Sequence, residues 1–233
     1  MVAHGMPREA HLALGGRHLL ASVDGALFWP EESLLVVADL HLEKGSSFAE
    51  RRILLPPYDT AATLALLTRL LLRYAPRRLV LLGDSFHDRR ASQRLAPSDR
   101  EALLHCLARR DVVWIAGNHD PDPPQDLPGT ALAELALGPF HFVHEPSPAP
   151  LPGEIAGHLH PVARIATRGR SLRRRCFISD GRRAVLPAFG AYAGGLNVRE
   201  SAFSPLFPQG FTAHVMGDDR VFAFPRAKCL GGG

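Results

Sequence analysis

Aspartate, asparagine and histidine recur in this chain in short clusters, most of them directly after an apolar run. The clusters are Asp39-Leu40-His41; Gly83-Asp84, with His87 and Asp88 following; Gly117-Asn118-His119-Asp120; His144; and Gly157-His158-Leu159-His160. They offer carboxylate oxygen, amide oxygen and imidazole nitrogen, with no thiolate. That mixture suits divalent manganese, iron, zinc or cobalt, and carboxylate with imidazole is typical of hydrolytic sites. In an extended segment residues i and i+2 point to one side. Asp39 and His41 can therefore converge on one centre, and His158 and His160 can face one cavity. The glycines before Asp84, Asn118 and His158 let the backbone turn sharply and approach a ligand closely.

Such donors meet only if the elements beneath them end at the same place. "SLLVVADLH", "RRLVLLGD" and "DVVWIAGNHD" read as buried strands, and "FHFVHEP" and "EIAGHLHP" as two more. "DTAATLALLTRLLLRYAP" reads as a helix capped by Asp59 and stopped by Pro76. "APSDREALLHCLARRD" reads as a second helix, with Ser98 and Glu101 at capping-box spacing. The proline-rich stretch 121–139 holds one short helical piece, "TALAELAL". The first thirty residues read as hairpin strands with Gly-Gly and Asp-Gly turns, and "RSLRRRCFISDGRRAVLPAFGAYAGGLNV" reads as strands with turns. Strands alternating with helices indicate an α/β core, and hairpins at both ends indicate a sheet sandwich. In open α/β sheets, sites form outside the carboxyl ends of the strands.

Bulk properties narrow the class. The 233 residues are 46% hydrophobic, enough for one sizeable core, and 21% charged, an ordinary globular composition. The net charge of +4 is compatible with an anionic partner and equally with an arginine-rich solvated surface. The three cysteines are widely spaced without a CxxC, so a disulfide framework is not expected and a reducing compartment fits. The N-terminus shows no continuous apolar signal region, and no run reaches the roughly 18 apolar residues of a membrane helix. A cytoplasmic protein is expected.

The ordered series DxH, GD, GNHD, His and GHLH, over residues 39–160, resembles the calcineurin-like metallophosphoesterases. The resemblance implies an α/β fold, a central β-sandwich flanked by helices, as a single domain over residues 1–233. "RRILLPPYDTAATLALL", "GDSFHD" and "LPAFGAYAGGLNV" are similar to one branch, the ligase-associated DNA-damage-response endonucleases, and extend the likeness to residues 35–198. By that resemblance Asp84 bridges two divalent metals. Asp39, His41 and His160 hold the first; Asn118, His144 and His158 hold the second. A bridging hydroxide attacks the phosphodiester, and His119 protonates the leaving oxygen as general acid. The branch further implies manganese, single-stranded DNA as substrate, a role in DNA repair, and functional association with a DNA ligase and a helicase. "GDSFHDRR" departs from the protein-phosphatase pattern by inserting His87, which argues against that activity. Asp88 is the candidate to orient His119, and Asp120 the candidate to fix its turn.

The remaining basic residues carry less. His4, His11, His18, His105 and His214 read as surface or packing residues, and His141 as a neighbour of His144 rather than a ligand. Residues 164–183 contain eight arginines and one acid, Asp180. They read either as a solvated hairpin or as a phosphate-tracking patch in which Arg173, Arg174 and Arg175 bind substrate. Phe177, Phe189 and Tyr192 are sparse candidates for base stacking. "SPLFPQGF" either covers a sheet or forms a dimer contact. Two alternative functions are a phosphodiesterase for cyclic nucleotides or other small molecules, and a non-catalytic scaffold on the same fold, as in the retromer subunit.

Overall fold

Two sheets absorb the apolar runs. The computed structural model describes residues 8–56, 58–122, 124–149 and 151–232, so His4 lies outside the described residues. The chain opens with an antiparallel meander, β1 (Glu9–Leu14), β2 (Arg17–Ser22) and β3 (Leu27–Trp29). Then β4 (Leu34–Val37), β5 (Arg78–Leu82), β6 (Asp111–Ile115) and β7 (Thr130–Leu132) run parallel. These seven strands form one sheet in sequence order.

The second sheet uses β8 (Glu134–Leu137), β9 (Phe140–Val143), β10 (Glu154–Ala156), β11 (Val162–Thr167), β12 (Arg170–Ser179), β13 (Arg183–Val185), β14 (Thr212–Met216) and β15 (Val221–Pro225). Its order is β15-β14-β12-β13-β10-β9-β8, with β11 paired to β12, and β9, β10 and β13 are parallel. Four helices complete the described fold: α1 (Lys44–Glu50), α2 (Asp59–Tyr74), α3 (Ala91–Arg94) and α4 (Pro97–Leu107).

The continuous apolar character of β4, β5 and β6 follows from burial on both faces. Leu34, Val36, Val80, Leu82, Val113 and Ile115 pack against Phe140, Phe142, Ile155 and Phe177 of the second sheet. Leu35, Val37, Leu79, Leu81 and Trp114 pack instead against Leu64, Leu67, Leu71, Leu103 and Leu107 of α2 and α4. The second sheet's outer face is covered by the chain between β13 and β14, with Phe203, Phe207 and Phe211 on Ile178, Val185 and Ala213. "SPLFPQGF" therefore packs onto its own sheet. The α/β sandwich with flanking helices is the architecture expected.

Local expectations fared unevenly. "TALAELAL" is not helical: it is β7 and β8, the point where the chain leaves the first sheet for the second. Ala and Leu favour helix, but open edges on both sheets offer backbone partners, and Leu132, Leu135 and Leu137 pack inward between the sheets. Helix α2 ends at Tyr74 before Pro76, yet Asp59 does not cap it; its Oδ2 accepts the Gly45 N–H at 3.0 Å. Thr60 makes a second tie, accepting the Glu43 N–H and donating to Glu43 Oε1, each at 2.9 Å. The start of α2 thus anchors the loop leading out of His41. Ser98 lies inside α4 behind Pro97, and no capping box forms. After β13, the chain through residue 200 is an ordered loop rather than further strands.

One buried ion pair sets register near the site. Glu154 and Arg183, directly paired across β10 and β13, are both fully buried with Oε1–Nε at 2.7 Å. Arg183 also reaches the Ser147 carbonyl, and Glu154 accepts the Ser147 N–H at 3.2 Å, which pins the loop that follows His144. Removing one member of such a pair typically costs about 3–5 kcal/mol.

Candidate metal centre

All five clusters sit at carboxyl ends of parallel strands, and they come from both sheets. Asp39, Asp84 and Asn118 follow β4, β5 and β6; His144 and His158 follow β9 and β10. Packing the two sheets face to face brings these ends to one rim. Two trios result, Asp39 with His41 and His160, and Asp84 with His144 and His158; within each, donor atoms lie within 4.8 Å of one another. Asn118 joins the second trio, its Oδ1 2.9 Å from His144 Nε2 and 2.8 Å from His158 Nδ1. Asp84 Oδ2 stands between the trios, 3.9 Å from His41 Nε2 and 3.5 Å from His144 Nε2.

The convergence is not achieved by extended backbone. Asp39, His41, Asp84, His158 and His160 all have left-handed φ, between 45° and 66°. They make up half of the ten non-glycine residues with positive φ among the described residues. Such conformations are uncommon outside glycine and concentrate where function requires them. Left-handed residues at i and i+2 still aim side chains together, by a repeated kink instead of a pleat. The glycines act chiefly by leaving room. A Cβ on Gly83 would overlap the His144 ring, one on Gly117 would overlap Asp84, and one on Gly157 would come within 2.6 Å of Asp39 Oδ2.

Fixed hydrogen bonds leave lone pairs facing inward. His144 Nδ1–H donates to the Leu82 carbonyl at 3.3 Å, so Nε2 of the neutral ring is a bare acceptor. It confronts Asn118 Oδ1, Asp84 Oδ2 and, at 3.2 Å, His158 Nδ1. In the first trio His41 Nε2 faces His160 Nε2 at 3.3 Å, and His160 Nε2 lies 3.2 Å from Asp39 Oδ1. Acceptors crowded against acceptors need a cation between them, so the donor set fits divalent metal. The backbone N–H groups of His158 and His119 hold Asp39 Oδ2 at 3.0 Å and Asp84 Oδ1 at 2.9 Å.

Titration follows the same logic. Burial, then repulsion from His160, lowers His41 to about 3. Burial pushes Asp84 upward, but the hydrogen bond and charge of His144 and the His119 N–H outweigh it, leaving about 2. Burial lowers His144, but the hydrogen bond to Asp84 and the charge of Asp39 prevail and raise it, so this spot favours positive charge. His158 is lowered by burial and by His144.

His119 stands at the mouth, its side chain 40% exposed, with Nε2 4.0 Å from Asp84 Oδ2. Its Nδ1–H donates to the His87 carbonyl at 2.8 Å. The expectation that Asp88 orients His119 is therefore corrected. Asp88 is taken by Arg94, at 2.6 and 3.0 Å, and by the Arg90 N–H, which holds its carboxyl well below the usual range. Asp120 does fix the turn: its Oδ2 accepts the Phe86 N–H at 2.9 Å, tying the loop after β6 to the loop after β5.

His87, which the sequence marked only as a departure from the protein-phosphatase pattern, belongs to the site. It forms a third group with His41 and His119, and its ring stacks on His119 at 5.2 Å. Burial, then Lys44, lowers it to about 4, so it presents a neutral imidazole. The available signal was its place three residues after Asp84, in the same loop.

The three arginines of the 173–175 run have different surroundings. Arg175 turns inward, with Nη1 and Nη2 on the carbonyls of Ala188 and Gly190 at 3.0 and 2.7 Å. It cannot meet substrate while it braces that loop. Arg174 projects from the opposite face of β12 toward Asp218, at 3.5 Å, and Arg173 remains exposed. Phe177 and Phe189 are buried in the core and unavailable for stacking. His11, His18 and His105 are exposed and His214 is buried, and none of these, nor His141, joins a donor cluster among the described residues.

A two-sheet α/β sandwich with acidic and imidazole donors gathered at one rim defines a class of metal-dependent phosphoesterases. The chain belongs to the calcineurin-like phosphoesterase family, whose model matches residues 33–173. Among solved structures it is similar to a nuclease of Pseudomonas putida, MPE, at 34% identity and a TM-score of 0.71, over 93% of this chain and 100% of that one. It also matches Yfce, a phosphoesterase from E. coli, at 16% identity and a TM-score of 0.40, over 84% and 98%. No curated protein matches the chain. No helix among the described residues is long and apolar enough to cross a membrane.

Proposed function

We propose that this chain is a manganese-dependent endonuclease that cleaves single-stranded DNA in the course of DNA repair. The observation that carries the reading is the pair of donor trios with Asp84 Oδ2 standing between them and the His119 imidazole at their open side. The likeness to a nuclease over nearly the whole chain supports nucleic acid as substrate. Asp39, His41 and His160 would hold one cation, and Asn118, His144 and His158 the other, with Asp84 between them. Two divalent cations so held supply an activated water and neutralise charge on the phosphate.

The chain's own groups do the rest. The His87 carbonyl fixes the His119 ring, leaving Nε2 free to carry a proton to the leaving oxygen. Asp120 and the His119 N–H hold the loops that carry Asp84 and Asn118 in register. Function in a reducing cytoplasm accords with three free, buried cysteines. Association with a DNA ligase and a helicase belongs to this reading through the family branch.

The test is incubation with circular single-stranded DNA and manganese, with H119A as control. Circular DNA has no ends, so cleavage by the wild type alone supports an endonuclease using His119. Intact circles together with metal-dependent hydrolysis of a small phosphodiester would move the substrate to small molecules. Failure to bind any divalent metal would favour a scaffold.

A further inference from the structure

The antiparallel pairing of β11 with β12 sets Arg164 directly opposite Arg173. Like charges facing each other across a ladder are destabilising. Among the described residues, no carboxylate pairs with either guanidinium. Arg164 donates Nε to Ser171 Oγ at 2.9 Å and Nη1 to the Gly232 carbonyl at 2.7 Å; Arg173 donates Nη2 to the Gly195 carbonyl at 2.6 Å. The loop after β13 brings a third arginine, Arg199, and Asn197 to the same cavity of about 440 Å³. Glu200 is the one acid lining it, and its Oε1 already accepts the Asn197 N–H at 2.9 Å. Three arginines line the cavity, against one acid among the described residues.

This cavity lies along the chain that leaves the metal centre. The Val162 N–H donates to the Leu196 carbonyl at 2.9 Å and the Val198 N–H to the Val162 carbonyl at 3.0 Å, so the 195–199 loop runs beside residues 160–164. Arg164 is four positions after His160, at most about 14 Å of extended backbone. A smaller cavity of about 260 Å³ shares Arg173 and is bordered by Ala193 and Gly194. Those two belong to the loop whose Gly190 N–H bonds the Asp39 carbonyl.

We infer that Arg164, Arg173 and Arg199 bind a backbone phosphate of the nucleic-acid strand away from the scissile position. The inference rests on the nuclease reading for its ligand. Arginine forks match phosphate oxygens, and a phosphate here relieves the Arg164–Arg173 repulsion. The contact carries no base information; it sets the path and register of the strand. It also replaces the contiguous run at 173–175 as the basic contact surface, because a strand alternates its faces and Arg175 is engaged internally.

The test measures binding of a fluorescent thymidine 20-mer in EDTA, from 50 to 200 mM salt, by wild type, R173E, R199E and R17E. Arg17 is an exposed residue of the β1–β2 hairpin, and its reversal changes net charge equally. R173E and R199E should each weaken binding about tenfold or more and flatten the salt slope by about 0.7 per phosphate lost, with R17E within about twofold of wild type. Calorimetric manganese titration of R173E and R199E, with wild-type stoichiometry and affinity, shows that the fold and the metal centre are intact. Equal losses in all three variants, or none in R173E and R199E, overturn the pocket. Loss of inorganic phosphate binding in R173E with an unaltered 20-mer assigns the cavity to free phosphate and overturns the strand contact. Arginine-dependent binding by a wild type that leaves the 20-mer uncut in manganese breaks the nuclease reading and leaves the pocket standing.

Discussion

The two halves of the centre are secured differently. The half with Asp84, Asn118, His144 and His158 is held by the ends of the sheets themselves: His144 hangs from the Leu82 carbonyl over the space left by Gly83. The half with Asp39, His41 and His160 is tied in through backbone, with Asp39 N–H on Gly83 O at 3.2 Å and His41 N–H on Asp84 O at 2.9 Å, but among the described residues no carbonyl holds either imidazole. His41 Nδ1 is buried without a hydrogen-bond partner. The backbone beneath Asp39 is braced by a remote loop, with Phe189 N–H on Ala38 O at 2.8 Å and Gly190 N–H on Asp39 O at 3.1 Å. That loop is clamped by half-buried Arg175 through its carbonyls. In one half a ring is fixed on a strand-end carbonyl; the other leans also on a loop that Arg175 clamps.

Asp84 belongs to both halves, so D84A should remove both metals and reduce hydrolysis to background. Calorimetric manganese titration together with activity checks this, and retained binding at either half would separate Asp84 from it. H119A should leave both metals bound and lower kcat on DNA by about 10²–10⁴-fold. The loss should be much smaller on a p-nitrophenyl ester, whose leaving group needs no proton.

G83A and R175A form a matched pair. G83A crowds His144 and should weaken the second half; R175A releases the 188–193 loop and should weaken the first. Each should cost about 10–100-fold in affinity for one manganese and little for the other, the size typical of groups that orient ligands. Equal losses at both metals in both variants would erase the contrast.

The smallest effect concerns Asp120, which burial, then the nearby Asp84 charge, raises to about 7 against hydrogen bonds from Phe86 and Ser85. The folded, metal-free protein thus holds a proton that the unfolded chain releases near pH 4. Wild-type stability relative to D120N should be greatest below pH 4 and fall as pH rises to 7, by at most about 4 kcal/mol. Chemical denaturation in EDTA at several pH values measures it; a constant difference would mean Asp120 is ionised throughout.

Much of this was legible in the chain because it is local. Buried strands at "LLVV", "RLVLL" and "DVVWI" announce themselves by composition, and the helix before Pro76 by its period. Where a second chain segment decides the outcome, the local signal misleads. "TALAELAL" has helical residues but two sheet edges to complete. Asp59 has a cap's chemistry, but Gly45 claims it. Asp88 follows Asp84 closely in the chain, but Arg94 neutralises it and a carbonyl orients His119.

The sequence by itself determined the donor chemistry, the order of the clusters and their position after strands, since residue type and spacing are properties of the chain alone. Only the tertiary structure decided that five of those donors sit on left-handed backbone, that Arg175 serves a loop while Arg164 and Arg199 join Arg173, and that His87 belongs at the site. Each of these depends on which groups remain to satisfy a buried charge or lone pair once two sheets close face to face. Segments more than a hundred residues apart, such as Asp39 and His158, meet only then.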